Sequence, residues 1–499
     1  MDSNSIIKIF VIAIYLLSMI GIGFLFYRKT KNFSDYILGG RKLGSWTTAL
    51  SAQASDMSGW LLLGLPGAAY TVGIEAAWIG LGLAVGTYIN WKVVAKRLRK
   101  YTEISRDSLT LSDFFENRFR DNTRILRVVS AFIILIFFTV YTSAQFSAGG
   151  KLFETLIGIP YTTALVIGVI VIIAYTFLGG FMAVAMTDFI QGLLMFFALI
   201  IVPFVAIAEL GGFGSTFAQM RAVDSNYLSF FMSTGSEGKI AIIAIISNLA
   251  WGLGYFGQPH ILARFMAIRT SSDIKKARII AMVWVVITLV AAVTIGMVGR
   301  IYFTNGIADP EKVFMLMANN MFTPIIGGIL LAAILAASMS TADSQLLVTA
   351  SAISEDFYKQ FFRKGASDVE LIWVGRTAVA MVAFVAMLIA FDPNSSVFGL
   401  VSYAWAGLGA AFGPVIITSL FWKRMNKWGA IAGMVSGAVS VIVWKAIAVS
   451  APAGSFWTVY ELLPAFIIAI IAIFIVTMTT AEPPQEVIDE FESVAISKI

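Results

Sequence analysis

Three carboxylates, Asp56, Asp188 and Asp343, lie within long apolar stretches of the chain. If these stretches cross a bilayer, each buried charge costs at least ~2.5–3.5 kcal/mol on the lowest scale and needs a partner. The sequence places no Lys or Arg deep within such a stretch, which leaves a bound cation, protonation or hydrogen bonds to exposed backbone. For Asp188, which begins its stretch, the favourable helix dipole is an equally good explanation.

Hydroxyl groups accompany Asp343 in the segment AASMSTADSQ, residues 336–345. Four residues of this segment share one helix face through their i, i+3, i+4, i+7 spacing: Ala337, Ser340, Thr341 and Ser344. Hard cations prefer oxygen ligands, and a helix broken near residues 54–59 would add backbone carbonyls. These oxygens predict a cation site, whereas the alternative is that each hydroxyl bonds a carbonyl of its own helix.

Aromatic residues suggest where a solute would bind. Trp251, Tyr255 and Pro259 recur at four-residue steps, which would place them on one helix face. Such a face suits a small ring with an apolar body and a polar edge, and Tyr141 would add a hydroxyl. An anionic group would bind backbone N–H donors at the start of a half-helix, because no buried Arg is expected. This favours a small zwitterion over a dicarboxylate or a phosphate; an ordinary buried aromatic cluster is the alternative.

The composition places the chain in a membrane. Of its 499 residues, 59% are hydrophobic and 13% are charged, whereas soluble proteins have about 25% charged residues. We therefore expect an all-α integral membrane protein. Cysteine is absent and His260 is the single histidine, and the Walker, GxGxxG and Ser–His–Asp patterns are missing, so nothing supports an enzyme. The net charge of +6 does not indicate nucleic-acid binding here, because in a membrane protein the distribution of Lys and Arg over the loops sets the orientation.

Thirteen apolar runs approach the ~20 residues that cross a bilayer. Of the 35 basic residues, 28 fall on alternate loops between them, which predicts a cell-membrane protein with its N-terminus outside and its C-terminus in the cytoplasm. The chain is then one polytopic domain, residues 1–499, and the acidic segment 481–499 is a short solvated tail. The predicted spans are 6–27, 44–72, 75–95, 125–148, 162–182, 186–210, 239–265, 276–304, 324–352, 372–391, 397–422, 428–449 and 457–480.

Two spans contain clusters of residues that weaken a helix. The second has Gly59, Gly64, Pro66 and Gly67, and the seventh has Gly252, Gly254, Gly257 and Pro259. Freed backbone groups persist at membrane depth only where they line protein or a water-filled cavity. Because the clusters are roughly 195 residues apart and each opens a run of five spans, they predict an inverted-repeat transporter with its site between the broken helices. The repeats would be residues 44–210 and 239–422.

Five motifs in order resemble the sodium/solute symporter family: SAQASDMSGWLLLGLPGA, YTFLGGFMAVAMTDFIQG, AWGLGYFGQPHILARFMA, AAILAASMSTADSQLLVTAS and SLFWKRMNKWGAIAGMVSG. The resemblance extends from about residue 35 to about residue 457. It implies a LeuT-like core of ten helices, spans two to eleven, with one helix before and two after. It further implies a secondary active transporter that couples inward sodium movement to solute uptake by alternating access, with L-proline as the expected solute.

The resemblance also implies roles for single residues. Sodium would be bound by the carbonyls of Ala54, Met57 and Ala337 and the hydroxyls of Ser340 and Thr341. Asp56 would support sodium, Ser55, Ser58 and Gly59 would lie near sodium and solute, and Trp251, Tyr255 and Pro259 would contact the solute. Asp188 corresponds to an acidic residue on an inner sodium route. Asp343 and Ser344 depart from the pattern expected after the Ser–Thr pair, which leaves the number of sodium ions open.

Other functions compete with this expectation. The solute would be another amino acid or a carboxylated vitamin in the nearest alternative. A sensory membrane module would need a long signalling region after the last span, and a channel would not need two broken helices around an occluded polar centre. The expected partners are L-proline, the sodium ion and the lipid bilayer.

Overall fold

The computed structural model describes residues 3–27, 32–176, 180–234, 242–452 and 454–496. These residues form helices, and one isolated bridge pairs Leu43 with Ile268. Parts of the predicted elements lie outside the described residues: Arg28, Lys29 and Lys31 of the first loop, residues 177–179 of the fifth span, residues 239–241 of the second repeat, and residues 497–499 of the tail.

Twenty-one α-helices account for the described bundle. The first eleven are α1 Ser3–Tyr27, α2 Phe33–Leu38, α3 Ser45–Leu62, α4 Gly64–Val72, α5 Ala77–Ile89, α6 Ala95–Ile104, α7 Leu111–Phe119, α8 Ile125–Ile157, α9 Tyr161–Thr176, α10 Phe181–Glu209 and α11 Gly212–Val223. The others are α12 Ile242–Ala250, α13 Pro259–Ala267, α14 Asp273–Tyr302, α15 Val313–Met321, α16 Pro324–Ser351, α17 Asp368–Ile389, α18 Val397–Phe421, α19 Lys427–Ser450, α20 Leu462–Thr479 and α21 Gln485–Ile496.

Among the described residues, ten helical stretches are long and apolar enough to cross a membrane, and two shorter apolar helices accompany them. Each of the thirteen predicted spans coincides with one helix or with a broken pair. The ninth span is longer than predicted, because α16 continues as wide helical turns from Ala352 to Phe362. The predicted all-helical architecture is therefore confirmed.

The first break separates α3 from α4 near the predicted glycine cluster. The residue that leaves helical geometry is Ser58, at φ 55° and ψ −175°, a region that residues other than glycine seldom adopt and that costs of order 1–3 kcal/mol. Its neighbours satisfy the interrupted backbone: the Ser58 hydroxyl accepts the N–H of Trp60 at 3.1 Å. The Gly59 N–H donates to Oε1 of Gln145 at 3.0 Å.

The second break separates α12 from α13. Residues Trp251–Gly257 form a tighter 3₁₀ segment, and Gln258 is extended at φ −86° and ψ 106°. An extended conformation is expected for a residue that precedes a proline, and Pro259 then occupies the first helical turn of α13, where its missing N–H costs nothing.

The helix α16 lies at the centre of the bundle. It packs against α1, α3, α8 and α10, and its residues from Leu330 to Leu347 are buried. The two breaks also lie inside the bundle. The broken helix α3 contacts α16, and the 3₁₀ segment of the second break contacts α5. The architecture thus brings one uninterrupted helix beside the freed backbone of a broken one.

The tail differs from the predicted solvated extension. Residues Gln485–Ile496 form α21, which buries Val487, Phe491 and Val494 against the bundle. These three residues share a helix face by their spacing, which makes α21 amphipathic. The two prolines end α20 as expected, but the Pro484 carbonyl then accepts the N–H of Val487 at 2.9 Å and starts the new helix.

Close packing of α5 against the second break predicts the effect of two matched substitutions. A Cβ at Gly86 would collide with the backbone of Gly252, whereas a Cβ at Gly80 would meet only the Cβ of Leu289 at an ordinary 3.7 Å. We expect Gly86→Ala to destabilise the protein by about 1–3 kcal/mol through overpacking. Gly80→Ala should be neutral or stabilising, because alanine favours a helix.

Thermal unfolding of the two purified variants in detergent checks this prediction. Equal midpoints for Gly86→Ala and Gly80→Ala would contradict the close approach of α5 to the 3₁₀ segment.

Candidate functional site

The hydroxyls of α16 converge on one carbonyl of α3. The Ser340 hydroxyl donates to the Ala54 carbonyl at 2.8 Å and to the Ala337 carbonyl at 3.1 Å. The Thr341 hydroxyl donates to the same Ala54 carbonyl at 3.4 Å. All four residues are fully buried, so the structure brings together Ala54, Ala337, Ser340 and Thr341 as the sequence predicted.

This cluster consists of neutral oxygen atoms. Met57, the fifth residue of the predicted set, is buried one turn further along α3 and lines the neighbouring cavity. Among the described residues, no group of three His, Cys, Asp or Glu side chains is suited to a metal ion. Carbonyl and hydroxyl oxygens suit a hard cation of low charge, because oxygen is the ligand atom that hard cations prefer.

A second cluster closes around a small cavity next to the break in α3. The cavity has a volume of about 10 Å³, which is about what one water molecule requires. The polar groups in its lining are Asp56, Ser58, Tyr141 and Tyr255. Its other lining residues are Met57, Trp60, Leu83, Trp251, Val401 and Trp405.

Hydrogen bonds orient the polar groups of this cavity. The Tyr255 hydroxyl donates to Oδ2 of Asp56 at 2.7 Å, and the Tyr141 hydroxyl donates to the Asp56 carbonyl at 3.2 Å. The side-chain amide of Asn90, the residue directly after α5, donates to the Tyr255 carbonyl at 3.0 Å. Asp56 thus ties the break of α3 to the 3₁₀ segment and to α8.

Stacked aromatic rings cover one side of the cavity. The Trp251 ring lies between Trp60, at a centroid distance of 5.2 Å, and Tyr460, at 5.3 Å. Phe398 packs against Trp251 at 5.4 Å. The indole N–H of Trp405 donates to the Trp251 carbonyl at 2.9 Å and fixes the 3₁₀ segment from behind.

Two predicted solute residues lie elsewhere. Pro259 lines a separate cavity of about 30 Å³ together with Ile134 and Ala263. The prediction assumed α-helical spacing, but the 3₁₀ segment turns by about 120° per residue and Gln258 is extended, so Pro259 does not share a face with Trp251. The Ser55 hydroxyl donates to the Ser51 carbonyl of its own helix at 2.7 Å.

The expectation that no cation lies deep in the bundle is wrong for Asp188. Arg264 Nη2 lies 3.1 Å from Asp188 Oδ2, and both side chains are fully buried. The same guanidinium donates to the Ser344 hydroxyl at 2.5 Å and to the Ser51 hydroxyl at 3.1 Å. Arg264 stays inside the bundle because α13 begins at Pro259. The five residues from Pro259 to Arg264 are too few to carry the chain out of the core.

The remaining predicted carboxylate, Asp343, is also fully buried. Its Oδ1 accepts the N–H of Ser344 at 2.9 Å. Tyr15 of α1 interacts electrostatically with Asp343 and Asp188, and its hydroxyl accepts a hydrogen bond from the Gln191 amide at 3.0 Å. The helix that precedes the predicted core therefore contributes a polar group to this region.

Several residues of the site were missed by sequence reasoning. Gln145 caps the Gly59 N–H, Ser51 donates to Asp188 Oδ2 at 2.7 Å, and Arg264 pairs with the same carboxylate. Gln145 had a signal, since it is a polar residue one helical turn after Tyr141 in an apolar span. The single histidine, His260, is fully buried, and among the described residues neither of its ring nitrogens has a hydrogen-bond partner.

Comparisons with known proteins show which proteins this chain is similar to. A family model described as "Sodium:solute symporter family" matches residues 36–437. The high-affinity proline transporter PutP of Bacillus subtilis (strain 168) is 50% identical over 476 residues, which cover 95% of this chain and 98% of that relative. The sodium/proline symporter of Escherichia coli (strain K12) is 50% identical over 478 residues, which cover 94% of this chain and 92% of that relative.

A solved structure shares the fold. The substrate-bound, outward-open structure of a Na⁺-coupled sialic acid symporter matches with a TM-score of 0.78 at 20% sequence identity, over 96% of this chain and 99% of that chain. At this identity the likeness shows the fold alone, and it confirms the predicted LeuT-like, all-helical class.

The buried Arg264–Asp188 pair predicts a strong asymmetry between single and double substitutions. Arg264→Gln leaves the Asp188 carboxylate buried without its cation, which should cost about 3–5 kcal/mol of folding stability. Adding Asp188→Asn removes the uncompensated charge and should restore much of that loss. Thermal unfolding of the single and double variants measures both effects.

The matched control is Arg269→Gln, which removes an exposed partner of Asp273 and should change stability by at most about 1 kcal/mol. A double variant as unstable as Arg264→Gln alone would show that Asp188 does not depend on this cation.

Proposed function

The chain belongs to the sodium:solute symporter family, and from this premise we propose that it couples inward movement of sodium to uptake of L-proline by alternating access. It is a multi-pass membrane transporter and not an enzyme. The observation that carries the proposal is the convergence of Ser340 and Thr341 on the Ala54 carbonyl, directly beside an aromatic cavity. Identities of 50% to two proline transporters support proline as the solute.

We propose that sodium is bound where α16 meets the break of α3. Its ligands would be the carbonyls of Ala54, Met57 and Ala337 and the hydroxyls of Ser340 and Thr341. The present hydrogen bonds support Ala54, Ser340 and Thr341 in this set, because both hydroxyls already donate to the Ala54 carbonyl. A bound cation would replace these two hydrogen bonds. The carbonyl oxygen of Ala54 and the two hydroxyl oxygens would then all point toward the cation.

Proline would bind in the cavity beside Asp56. The apolar pyrrolidine ring fits against Trp251 and Tyr255, and its ammonium group would bond to the Asp56 carboxylate or the Tyr141 hydroxyl. The solute carboxylate would replace the present acceptors of the Gly59 and Trp60 N–H groups, which are Gln145 Oε1 and the Ser58 hydroxyl. The absence of an Arg or Lys among the described lining residues favours this zwitterion over a solute with two negative charges.

The closed cavity requires a change of shape before proline enters. Trp60, Trp251 and Phe398 close one side, and Pro259 faces a second cavity on another side. We propose that movement of the two broken helices opens these sides alternately, as in other transporters with inverted repeats. The repeats would be residues 44–210 and 239–422, each opened by one broken helix.

We further propose supporting roles and an orientation. Asp188, Asp343 and Ser344 would lie on the sodium route, where Arg264 limits the negative charge, and Pro259 and Ser55 would act by shaping the broken helices. Without the buried Arg264, 27 of the 35 basic residues still fall on the predicted inner side. This bias supports an N-terminus outside and a C-terminus in the cytoplasm of the cell membrane.

The first functional prediction concerns coupling between the two ligands. Sodium should raise the affinity for proline, and proline should raise the affinity for sodium by the same factor, because linkage is reciprocal. Equilibrium binding of labelled proline to the purified protein, at a series of sodium concentrations with choline as the replacing cation, measures this factor. Competition with other amino acids and carboxylated vitamins identifies the solute.

Proline binding that is equal in sodium-free and sodium-rich buffer would contradict the symporter proposal. A competing solute that displaces proline at much lower concentration would assign the transporter to that solute.

The second functional prediction concerns the hydroxyls of α16. Ser340→Ala or Thr341→Ala removes one oxygen from the proposed sodium site, which should cost about 1.5–3 kcal/mol if the contact is to a charged group. The sodium concentration for half-maximal proline uptake should therefore rise about tenfold or more. Uptake into membrane vesicles at matched protein levels measures it.

The control is Ser351→Ala on the same helix, whose hydroxyl bonds the Leu347 carbonyl one turn earlier at 2.8 Å. Sodium dependence that is unchanged in all three variants would contradict sodium binding by Ser340 and Thr341 and would indicate that their hydroxyls serve helix packing.

A further inference from the structure

Three arginines of α6, of α7 and of the residue after α7 meet at α21. Arg118 is fully buried, and its guanidinium lies over the rings of Tyr101 at 5.1 Å and Phe491 at 5.3 Å. Arg97 lies over the same Phe491 ring at 5.0 Å. Arg120 pairs with Glu490 of α21 at 2.5 Å. We call Arg97, Arg118 and Arg120 the arginine cluster.

The arginine cluster has more hydrogen-bond donors than acceptors. Among the described residues, Arg118 makes one side-chain hydrogen bond, from Nε to the Ser419 carbonyl at 3.3 Å, while both of its Nη atoms are buried without a partner. The same holds for Nε of Arg97, Nε of Arg120 and the hydroxyl of Tyr101. Arg120 Nε has an ion-pair partner in Glu486 at 3.6 Å, which leaves four unmatched donor atoms, on Arg97, Arg118 and Tyr101. Buried polar groups are normally bonded, so these four atoms indicate an acceptor that belongs there.

Charge points to the same conclusion. Among the described residues, the ion pairs of the arginine cluster with α21 are made by Arg120. It pairs with Glu490, whose side chain is mostly buried, and its Nε lies 3.6 Å from Glu486, whose side chain is 63% exposed. A phosphate group offers several acceptor oxygens and a negative charge, and it matches two Nη atoms of one arginine in a bidentate manner. The donor set therefore fits a phosphate better than a carboxylate such as Glu490, whose Oε1 has no partner among the described residues.

The helix α21 covers the arginine cluster with Glu490 and Phe491. It is held by three buried apolar side chains and by Glu490, and the loop at Pro483 and Pro484 joins it to α20. The ion pairs at its margin, such as Lys423–Glu492, have more than half of each side chain exposed and add little. Release of α21 would remove both Glu490 and the Phe491 ring from the arginine cluster.

The surroundings of the arginine cluster are typical of the boundary between hydrocarbon and lipid headgroups. Arg97 also lies 4.8 Å over the ring of Phe421, the last residue of the membrane helix α18, and 44% of Phe421 is exposed. Nearby on the next helix, Lys427 lies 5.0 Å over the exposed ring of Trp428. Tryptophan and lysine at a helix end mark the boundary between hydrocarbon and headgroups, where lipid phosphate is the abundant phosphate.

We propose that the arginine cluster is a binding site for the phosphate of an anionic phospholipid, and that α21 covers this site until the lipid displaces Glu490. The lipid phosphate takes up the unmatched donors of Arg118, Arg97 and Tyr101. The acidic face of α21, with Glu486 and Glu490, is then repelled by the anionic membrane surface. The site is independent of sodium and proline.

The absence of cysteine allows a direct test on the full-length chain. Ser493→Cys on the exposed face of α21 carries one nitroxide label, and the protein is placed in nanodiscs of phosphatidylcholine with increasing phosphatidylglycerol. We expect the label to be immobile in pure phosphatidylcholine and to gain a mobile component as the anionic lipid increases. Native mass spectrometry of the same sample should show retained phosphatidylglycerol.

Three variants in the labelled background make the test specific. Arg118→Gln should lose most of the retained lipid and the lipid-dependent gain in mobility. Arg363→Gln removes a cation from an exposed pair with Glu370 and should behave as the parent protein does. Glu490→Gln removes the carboxylate that pairs with Arg120 while all three arginines stay in place. It should release α21 at a lower phosphatidylglycerol content, which provides a test even if Arg118→Gln fails to fold.

Two results would overturn the proposal. One is a label whose mobility ignores phosphatidylglycerol, or responds equally in Arg118→Gln. The other is release of α21 by millimolar inorganic phosphate in pure phosphatidylcholine without any response to phosphatidylglycerol, which would assign the arginine cluster to a soluble phosphate.

Discussion

Every backbone polar group at membrane depth needs a partner, and this constraint shapes the whole interior of the protein. Ordinary helices satisfy it within themselves, but the breaks at Ser58 and at Trp251–Gly257 do not. The carbonyl of Ala54 is satisfied by hydroxyls of α16, and the N–H of Gly59 by Gln145 of α8. Side chains of intact helices thus form hydrogen bonds with the backbone of the broken ones. In the proposed function, the same polar atoms would bind the cation or the solute.

A buried charge obeys the same rule at higher cost. Asp188 is stabilised by Arg264, which also contacts Ser344 of α16 and Ser51 of α3. One guanidinium on α13 therefore contacts three other helices, α3, α10 and α16. Because the loss of one partner leaves the other charge buried and uncompensated, this arrangement ties the positions of these four helices to one another.

Much of this architecture was readable from residue types and spacing. Long apolar runs predicted the helices, glycines and prolines predicted both breaks, and the i, i+3, i+4 spacing predicted that Ser340 and Thr341 share a face. Arg264 and Pro259 were misjudged for one reason: the exact end of a broken helix decides which residues remain inside, and local composition does not specify that end. The docking of α21 depends on a distant surface around Arg118, which no local pattern reveals.

The short distance between the two clusters gives a physical reason for coupling in the proposed mechanism. Ala54 faces the hydroxyls of α16, while Asp56 and Ser58, two and four residues later, face the aromatic cavity. A ligand that orders the strained backbone at Ser58 also orders the Ala54 carbonyl, since few rotatable bonds separate them. The second ligand then binds a backbone whose conformational entropy is already lost, and its affinity rises without any direct contact between the two ligands.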